Sequence, residues 1–244
     1  MASAISFISC DRDEPATANL SPSTVSLYVG DSTLLTYSGG FNTGSNQWKS
    51  ENELIASVNF GSSTGYNGMV KAHKVGTTTI WANEWISSSI TVLPRYTMFT
   101  EPSLEWGTSK ASIEKMMSNY ELTTSNDSTL GYKGNENVLG YLYSFNNQKL
   151  EFSIMIIDLN TCDPEDLAKF LNERYYIDYI ETEGRWVFVS PDKKTGGIMQ
   201  PYEKDPTFMF VIYVPLSSSI STTSNINENA SKVLKSLDIK CPIL

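Results

Sequence analysis

Between Leu20 and Leu93 apolar and polar residues alternate in short runs. Val25, Leu27 and Val29 alternate with Thr24, Ser26 and Tyr28 before Gly30-Asp31, the two-residue period of a half-buried strand followed by a tight turn. NQWKSENELIASVNF then carries Trp48, Leu54, Ile55, Ala56 and Val58. GMVKAHKVGTTTIWA places Val70, Ala72, Val75 and Ile80 around Gly76, and SSSITVLP closes with Ile90 and Val92. About seven short strands joined by polar turns predict an all-β sandwich over residues 20–94.

After Pro94-Arg95 the period changes. TSKASIEKMMSNY sets Ile113, Met116, Met117 and Tyr120 on one helical face, with Thr108 or Ser109 as its cap. TLGYK, VLGYLYSF and KLEFSIMIID read as strands, the last two forming a hairpin about Asn146-Asn147. A second helix is capped by Thr161 or Asp163, has Pro164 at its first position, and carries Glu165 and Asp166 where acids complement the helix dipole. Its Leu167, Phe170 and Leu171 face inward. Four more strands, YYIDYI, RWVFVS, GGIMQPY and TFMFVIYVPL, precede a third helix over residues 227–237 with Val233, Leu234 and Leu237 inward.

A helix followed by strands ending in LEFSIMII recurs as a helix followed by strands ending in FMFVIYVP. Residues 95–244 are therefore expected to be an α+β domain with an antiparallel sheet, helices on one face and an internal duplication. The chain as a whole is multi-domain on this reading, and the α+β domain is its binding head.

Charge narrows the partners. Over 244 residues, 18 basic side chains oppose 27 acidic ones, for a net charge of -9 and no Lys/Arg cluster. Phosphate backbones and anionic lipid headgroups would repel such a chain, which argues against nucleic acid and polybasic membrane contact. No run downstream of the first ten residues approaches the eighteen or so apolar residues of a membrane span.

The start of the chain reads differently. Met1 to Ser9 is apolar and small-residued but lacks a basic leader segment, and Phe7-Ile8-Ser9-Cys10 resembles a bacterial lipoprotein signal box. Asp11-Arg12-Asp13-Glu14 resembles the acidic patch after the lipidated cysteine in surface-exported lipoproteins of the Bacteroidetes. Residues 1–19 are thus expected to be a signal remnant and tether, with acylation of Cys10 fixing the protein to the outer face of an outer membrane. The alternative is a free thiol in an irregular tail.

A second resemblance rests on linked motifs. Val29-Gly30-Asp31, then Trp48-Lys49-Ser50-Glu51-Asn52 with Ile55-Ala56-Ser57-Val58, then Gly68-Met69-Val70-Lys71-Ala72 and Val75-Gly76-Thr77-Thr78-Thr79-Ile80 resemble the bacterial immunoglobulin-like group 2 domain. The resemblance implies a sandwich module outside the cell, of the kind that recurs as a spacer in surface adhesins. Adhesion follows from it only by association.

Candidate chemistry is sparse. His73 is the single histidine and lies between Lys71 and Lys74, where an exposed strand residue is expected. The three cysteines have no metal-ligand spacing, and neither a metal nor a cofactor is expected. Cys162 and Cys241 could form a disulfide outside the cytoplasm or remain two buried thiols. Asp163, Glu165 and Asp166 are explained by helix capping, and Glu181 and Glu183 by solvation of a hairpin at Gly184.

Aromatic residues carry the remaining lead. Trp106, Tyr132, Trp186 and Tyr202 lie in neighbouring segments, and Trp85 occupies a turn-like stretch of the sandwich. Such side chains present rigid apolar area with a polar tip, suited to a protein or a glycan. Tyr141, Tyr143 and Phe145 share a strand face and are expected in the core. The function expected is non-enzymatic adhesion or ligand binding, with glycan capture for a polysaccharide-uptake system as the alternative and a hydrolase as the third reading.

Overall fold

The alternation in the first third of the chain closes into two facing four-stranded sheets. One has the order β1 (Asn19–Ser21), β3 (Ser32–Ser38), β6 (Asn67–Ala72), β5 (Ala56–Phe60); the other is β2 (Thr24–Tyr28), β8 (Ile86–Leu93), β7 (Gly76–Ala82), β4 (Trp48–Ser50). The computed structural model describes residues 18–39, 47–60, 66–135, 137–181 and 184–216. Cys10, Cys241, Glu183, the tether before residue 18 and the third helix expected over 227–237 lie outside those residues.

Inward positions of both sheets, among them Leu35, Val70, Ile80 and Ile90, have no exposure at all. Trp48 lies against Gly68, where an added Cβ would come within 2.6 Å of the indole, so only glycine permits that contact. Gly30 takes φ 87° in the turn between β2 and β3, a conformation closed to most side chains.

The remainder is built on one eight-stranded antiparallel sheet. Its order is β13 (Tyr176–Ile180), β14 (Arg185–Val189), β15 (Thr195–Tyr202), β16 (Asp205–Pro215), β12 (Lys149–Asp158), β11 (Gly140–Asn146), β10 (Thr129–Lys133), β9 (Leu122–Asn126). Each half is a short helix followed by a four-stranded meander. The halves join where β12 pairs with β16, Ile154 opposite Ile212.

Only two helices occur among the described residues, α1 (Lys110–Met116) and α2 (Pro164–Arg174), of 7 and 11 residues. The expected α+β balance is therefore corrected: β-structure carries this unit as it carries the first. Ile113 is the single buried residue within α1. Met116, expected inward, is 48% exposed because the helix ends there, one residue before the buried Met117.

Local signals place these elements. Ser109 caps α1, its Oγ accepting from the Ser112 N–H at 3.2 Å, and Asp163 caps α2, its Oδ1 accepting from the Glu165 N–H at 2.8 Å. The β11–β12 hairpin turns on Asn147 and Gln148, both at positive φ, one residue later than the sequence suggests.

Both faces of the large sheet are apolar. Tyr141, Tyr143, Met155, Val211 and Tyr213 point to the face covered by α1, α2 and the segment holding Phe99. Phe152, Ile154, Ile156, Phe210 and Ile212 point to the other. Gly197 in β15 faces the first side, where a Cβ would meet the Ile212 carbonyl oxygen at 2.1 Å and the Phe188 ring at 2.2 Å.

The two units meet at the last turn of α2. Helix ends leave carbonyls without intrahelical partners, and here the β-sandwich supplies the donors. The Val75 N–H donates to the Glu173 carbonyl at 2.8 Å, and Lys74 Nζ donates to the carbonyl and, at 3.2 Å, to the side-chain oxygen of Asn172. A cation at a helix C-terminus also complements the dipole. Glu173, 7% exposed, turns its carboxylate back to accept from the N–H groups of Arg95 at 2.8 Å and Tyr96 at 2.9 Å. Arg95 in turn pairs with Asp31 at 2.5 Å. Tyr176 donates to the Leu54 carbonyl at 2.9 Å, and the Asn52 amide donates to the Pro191 carbonyl at 3.0 Å.

Beneath this joint lies a buried polar cluster. Glu101 accepts from the Tyr175 hydroxyl at 2.6 Å and faces Arg174 Nε at 3.4 Å. Arg174 also donates to the carbonyls of Phe170 and Tyr96, at 2.9 and 3.2 Å. Burial raises the Glu101 carboxyl above its ordinary 4.5, offset in part by the Tyr175 hydrogen bond and the Arg174 charge. Burial first, then the Glu101 charge, pushes the Tyr175 hydroxyl well up, so it remains a donor.

Three outcomes are expected. Gly197→Ala forces backbone or the Phe188 ring to move and costs about 2–3 kcal/mol in denaturant unfolding. Glu173→Ala strands two backbone donors and costs about 3 kcal/mol, with faster proteolysis between residues 94 and 97. Above pH 4.5 the unfolded chain releases the Glu101 proton while the folded chain still holds it, so stability falls with rising pH across that window. Glu101→Gln, followed by thermal melts from pH 4 to 8, removes that part of the slope; an unchanged slope contradicts the assignment.

Candidate functional site

Strand alternation sends Trp186 and Phe188 of β14 to the same side of the sheet as Ile177 and Tyr179 of β13. Phe188 lies deep in the core, whereas Trp186 and Tyr179, next to the hairpin at Gly184, remain 43% and 44% exposed. Their rings form a cross-strand pair with centroids 4.7 Å apart and planes tilted by 48°.

A groove of about 570 Å³ runs from Trp186 along α2. Leu167, Ala168, Ile177, Met199 and Met209 line it, and Glu165, Lys169 and Asn172 stand at its rim. Two methionines make an adaptable wall for side chains of varied shape. Lys169 bridges Glu165 at 2.8 Å and Asp166 at 4.0 Å and stands 5.6 Å over the Tyr96 ring. The Glu165 hydrogen bond raises its ammonium, which stays charged. The groove can hold apolar or aromatic side chains and offers acidic and basic groups along one edge.

The other expected aromatic residues do not join this pair. Trp106 is half-buried, donating from Nε1 to Thr195 Oγ1 at 3.1 Å, in a cleft of about 640 Å³ between the two units. Ile55, Val75 and Pro191 form walls of that cleft, and Glu101 and Arg174 also line it. Tyr132, expected as a binding residue, is 3% exposed and packs edge-on against Tyr143; the register of β10 turns it into the core. Tyr202 stacks on Phe210 at 5.0 Å, on the opposite face of the sheet. Trp85 is exposed on the sandwich, edge-on to Tyr37 at 6.3 Å.

Tyr179 and the groove itself are missing from the sequence reading. Tyr179 could have been found by pairing β13 with β14 about Gly184, which sets it opposite Trp186. The groove could not, because its lining comes from α2, β13, β14, β15 and β16.

Nucleophiles and carboxylates are quiet. Cys162 is a free, half-buried thiol, pushed up by burial and then by Asp158, Asp163 and Asp166, so it stays protonated and a poor nucleophile. His73 is half-buried rather than exposed, its Nε2 at 2.7 Å from Ser57 Oγ. Burial, then Lys71 and Lys74, lower its pKa and favour the neutral ring. Among the described residues no His, Cys, Asp and Glu cluster could hold a metal ion, and no helix is long and apolar enough to cross a membrane.

No curated protein matches the chain. Among solved structures, domains 4 and 5 of the S-layer protein SbsC align with 33% of this chain and 53% of that one, at 22% identity and a TM-score of 0.27. A longer SbsC fragment, rSbsC(31-844), aligns with 76% of this chain and 22% of that one, at 15% identity and a TM-score of 0.28. The chain thus spans about half the length of the first and about a fifth of the second. The family model of the bacterial Ig-like domain (group 2) matches residues 16–84, which encompass β1 to β7 of the sandwich. Residues 16–84 are a bacterial Ig-like domain of group 2.

Proposed function

We propose that this is a cell-surface protein in which the Ig-like domain orients the eight-stranded unit, and the groove at Trp186 and Tyr179 binds an extracellular protein or peptide through apolar side chains. The observation that carries the reading is an exposed aromatic pair continuous with an apolar groove, on a protein whose other large aromatics are mostly occupied in packing. Exposed contiguous apolar surface of this kind marks interaction sites, and Trp and Tyr are favoured anchors. The Ig-like domain supports a surface location. Acylation of Cys10 and attachment to an outer membrane belong to the same proposal and rest on the sequence around that cysteine alone.

Binding without catalysis is favoured by the chemistry of the titratable groups. His73 is neutral and hydrogen-bonded away from either cavity, and Glu101 is engaged by Tyr175 and Arg174. Glycan capture is the second reading, favoured by the exposed indole of Trp186. It is weakened by the 48° tilt, since sugar rings stack best on a coplanar row.

Parallel screens of the purified chain on an extracellular-protein panel and a glycan array test this. Protein ligands are expected, with affinity falling about tenfold or more for Trp186→Ala, the loss of a central aromatic anchor, at unchanged melting temperature. Glycan ligands lost in the same variant would transfer the site to the second reading. Ligands insensitive to both Trp186→Ala and Tyr179→Ala would remove the groove from the function.

A further inference from the structure

The large sheet ends on one side at β13, which among the described residues pairs with β14 alone. An edge strand leaves the N–H and C=O of every second residue without a ladder partner. The Gly184 N–H donates to the Ile180 carbonyl at 2.9 Å and closes the hairpin, so Ile180, Asp178 and Tyr176 turn their backbone groups toward β14, and Ile177 and Tyr179 turn theirs outward. The Tyr179 N–H has the same phase: it donates at 2.9 Å to Oδ1 of the adjacent Asp178 rather than to a strand. Tyr176 and Tyr179 are 39% and 44% exposed along this edge. The Ile177 and Tyr179 side chains share the groove face with Trp186, and by alternation Asp178 points to the opposite face.

We propose that β13 accepts an added strand: an extended segment of another protein, antiparallel to β13, with apolar residues opposite Tyr179 and Ile177 and a lysine or arginine between them, opposite Asp178. The inference rests on the groove reading above and gives its ligand a backbone conformation and a residue pattern. In this register the two apolar residues exchange N–H···O=C bonds with Ile177 and Tyr179, and their side chains fall on the groove face beside Ile177 and the Tyr179–Trp186 pair. Main-chain bonds supply affinity and the alternate side chains supply specificity. The incoming carbonyl replaces Asp178 at the Tyr179 N–H, and the released carboxylate meets the cation.

Charge selects this occupant over a second copy of the chain. Asp178 is exposed and has no ion pair among the described residues, and Glu181 stands exposed just past the end of the strand. Two copies of β13 paired antiparallel through Ile177 and Tyr179 would set Asp178 directly opposite Asp178, and like charges so placed are destabilising. The net charge of -9 on each copy adds to that repulsion. A basic residue at the same position is complementary instead.

A phage-displayed library of short linear peptides, screened on the full chain, tests the proposal. Binders are expected to carry an apolar–basic–apolar core, and Asp178→Lys, at unchanged melting temperature, is expected to switch the selected central residue to Asp or Glu. In a synthetic binder, N-methylation of either apolar residue removes an N–H that faces β13 and is expected to weaken binding about tenfold or more, whereas N-methylation of the central residue, whose N–H faces away, changes it by less than about twofold. Peptides that lose binding with Trp186→Ala yet tolerate N-methylation at every position keep the groove as the site and overturn strand addition. Peptides indifferent to Trp186→Ala as well overturn both readings. A screen that returns no peptide of this pattern overturns the proposal, and so does self-association of the full chain that Asp178→Asn strengthens, which would assign the edge to a second copy.

Discussion

The last turn of α2 is the constraint on which the arrangement depends. A helix C-terminus has carbonyls that must find donors, and this one finds them in a different domain: the Val75 N–H and the Lys74 ammonium of the Ig-like unit. The same turn sends the Glu173 carboxylate back to hold the linker at Arg95 and Tyr96. One residue thus accepts from both the sandwich and the linker. The linker has little freedom left as a hinge, and the groove along α2 acquires a fixed direction relative to the sandwich.

That geometry connects the fold to its proposed use. A spacer domain transmits orientation only when its junction is stiff, and this junction is tied by the backbone N–H groups of Val75, Arg95 and Tyr96 as well as by long side chains. The groove lies on the same helix whose end is clamped. Its rim residues Glu165 and Lys169 are one to two turns from Glu173, so a ligand held there is held relative to the whole chain.

Much of this was legible in the residues, for physical reasons that vary with the element. Two-residue alternation and turn glycines specified the sandwich, and Gly68 and Trp48, read as separate motif positions, prove to be two halves of one contact. Asp163 and Pro164 marked the start of α2 because capping is a local interaction. The weight given to helices was excessive: α1 has too few residues to bury more than Ile113, so the apolar spacing of Met116 had no packing consequence. Edge strand β9 escaped because its exposed Leu122 and polar neighbours carry no alternation. The aromatic candidates scattered because sequence proximity says nothing of sheet face; Tyr132 and Tyr202, both in the large sheet, ended on opposite sides of it. The joint was illegible, since Lys74, Glu173 and Arg95 are ordinary polar residues until the fold brings them together.

The stiffness of that joint is open to direct measurement. Spin labels at the exposed positions Asn59 and Glu151, in a chain whose native cysteines are serine, report the distance between the two units by pulsed electron resonance. A single narrow distance distribution is the predicted result. A broad or multimodal distribution would show the two units moving independently and would contradict the account.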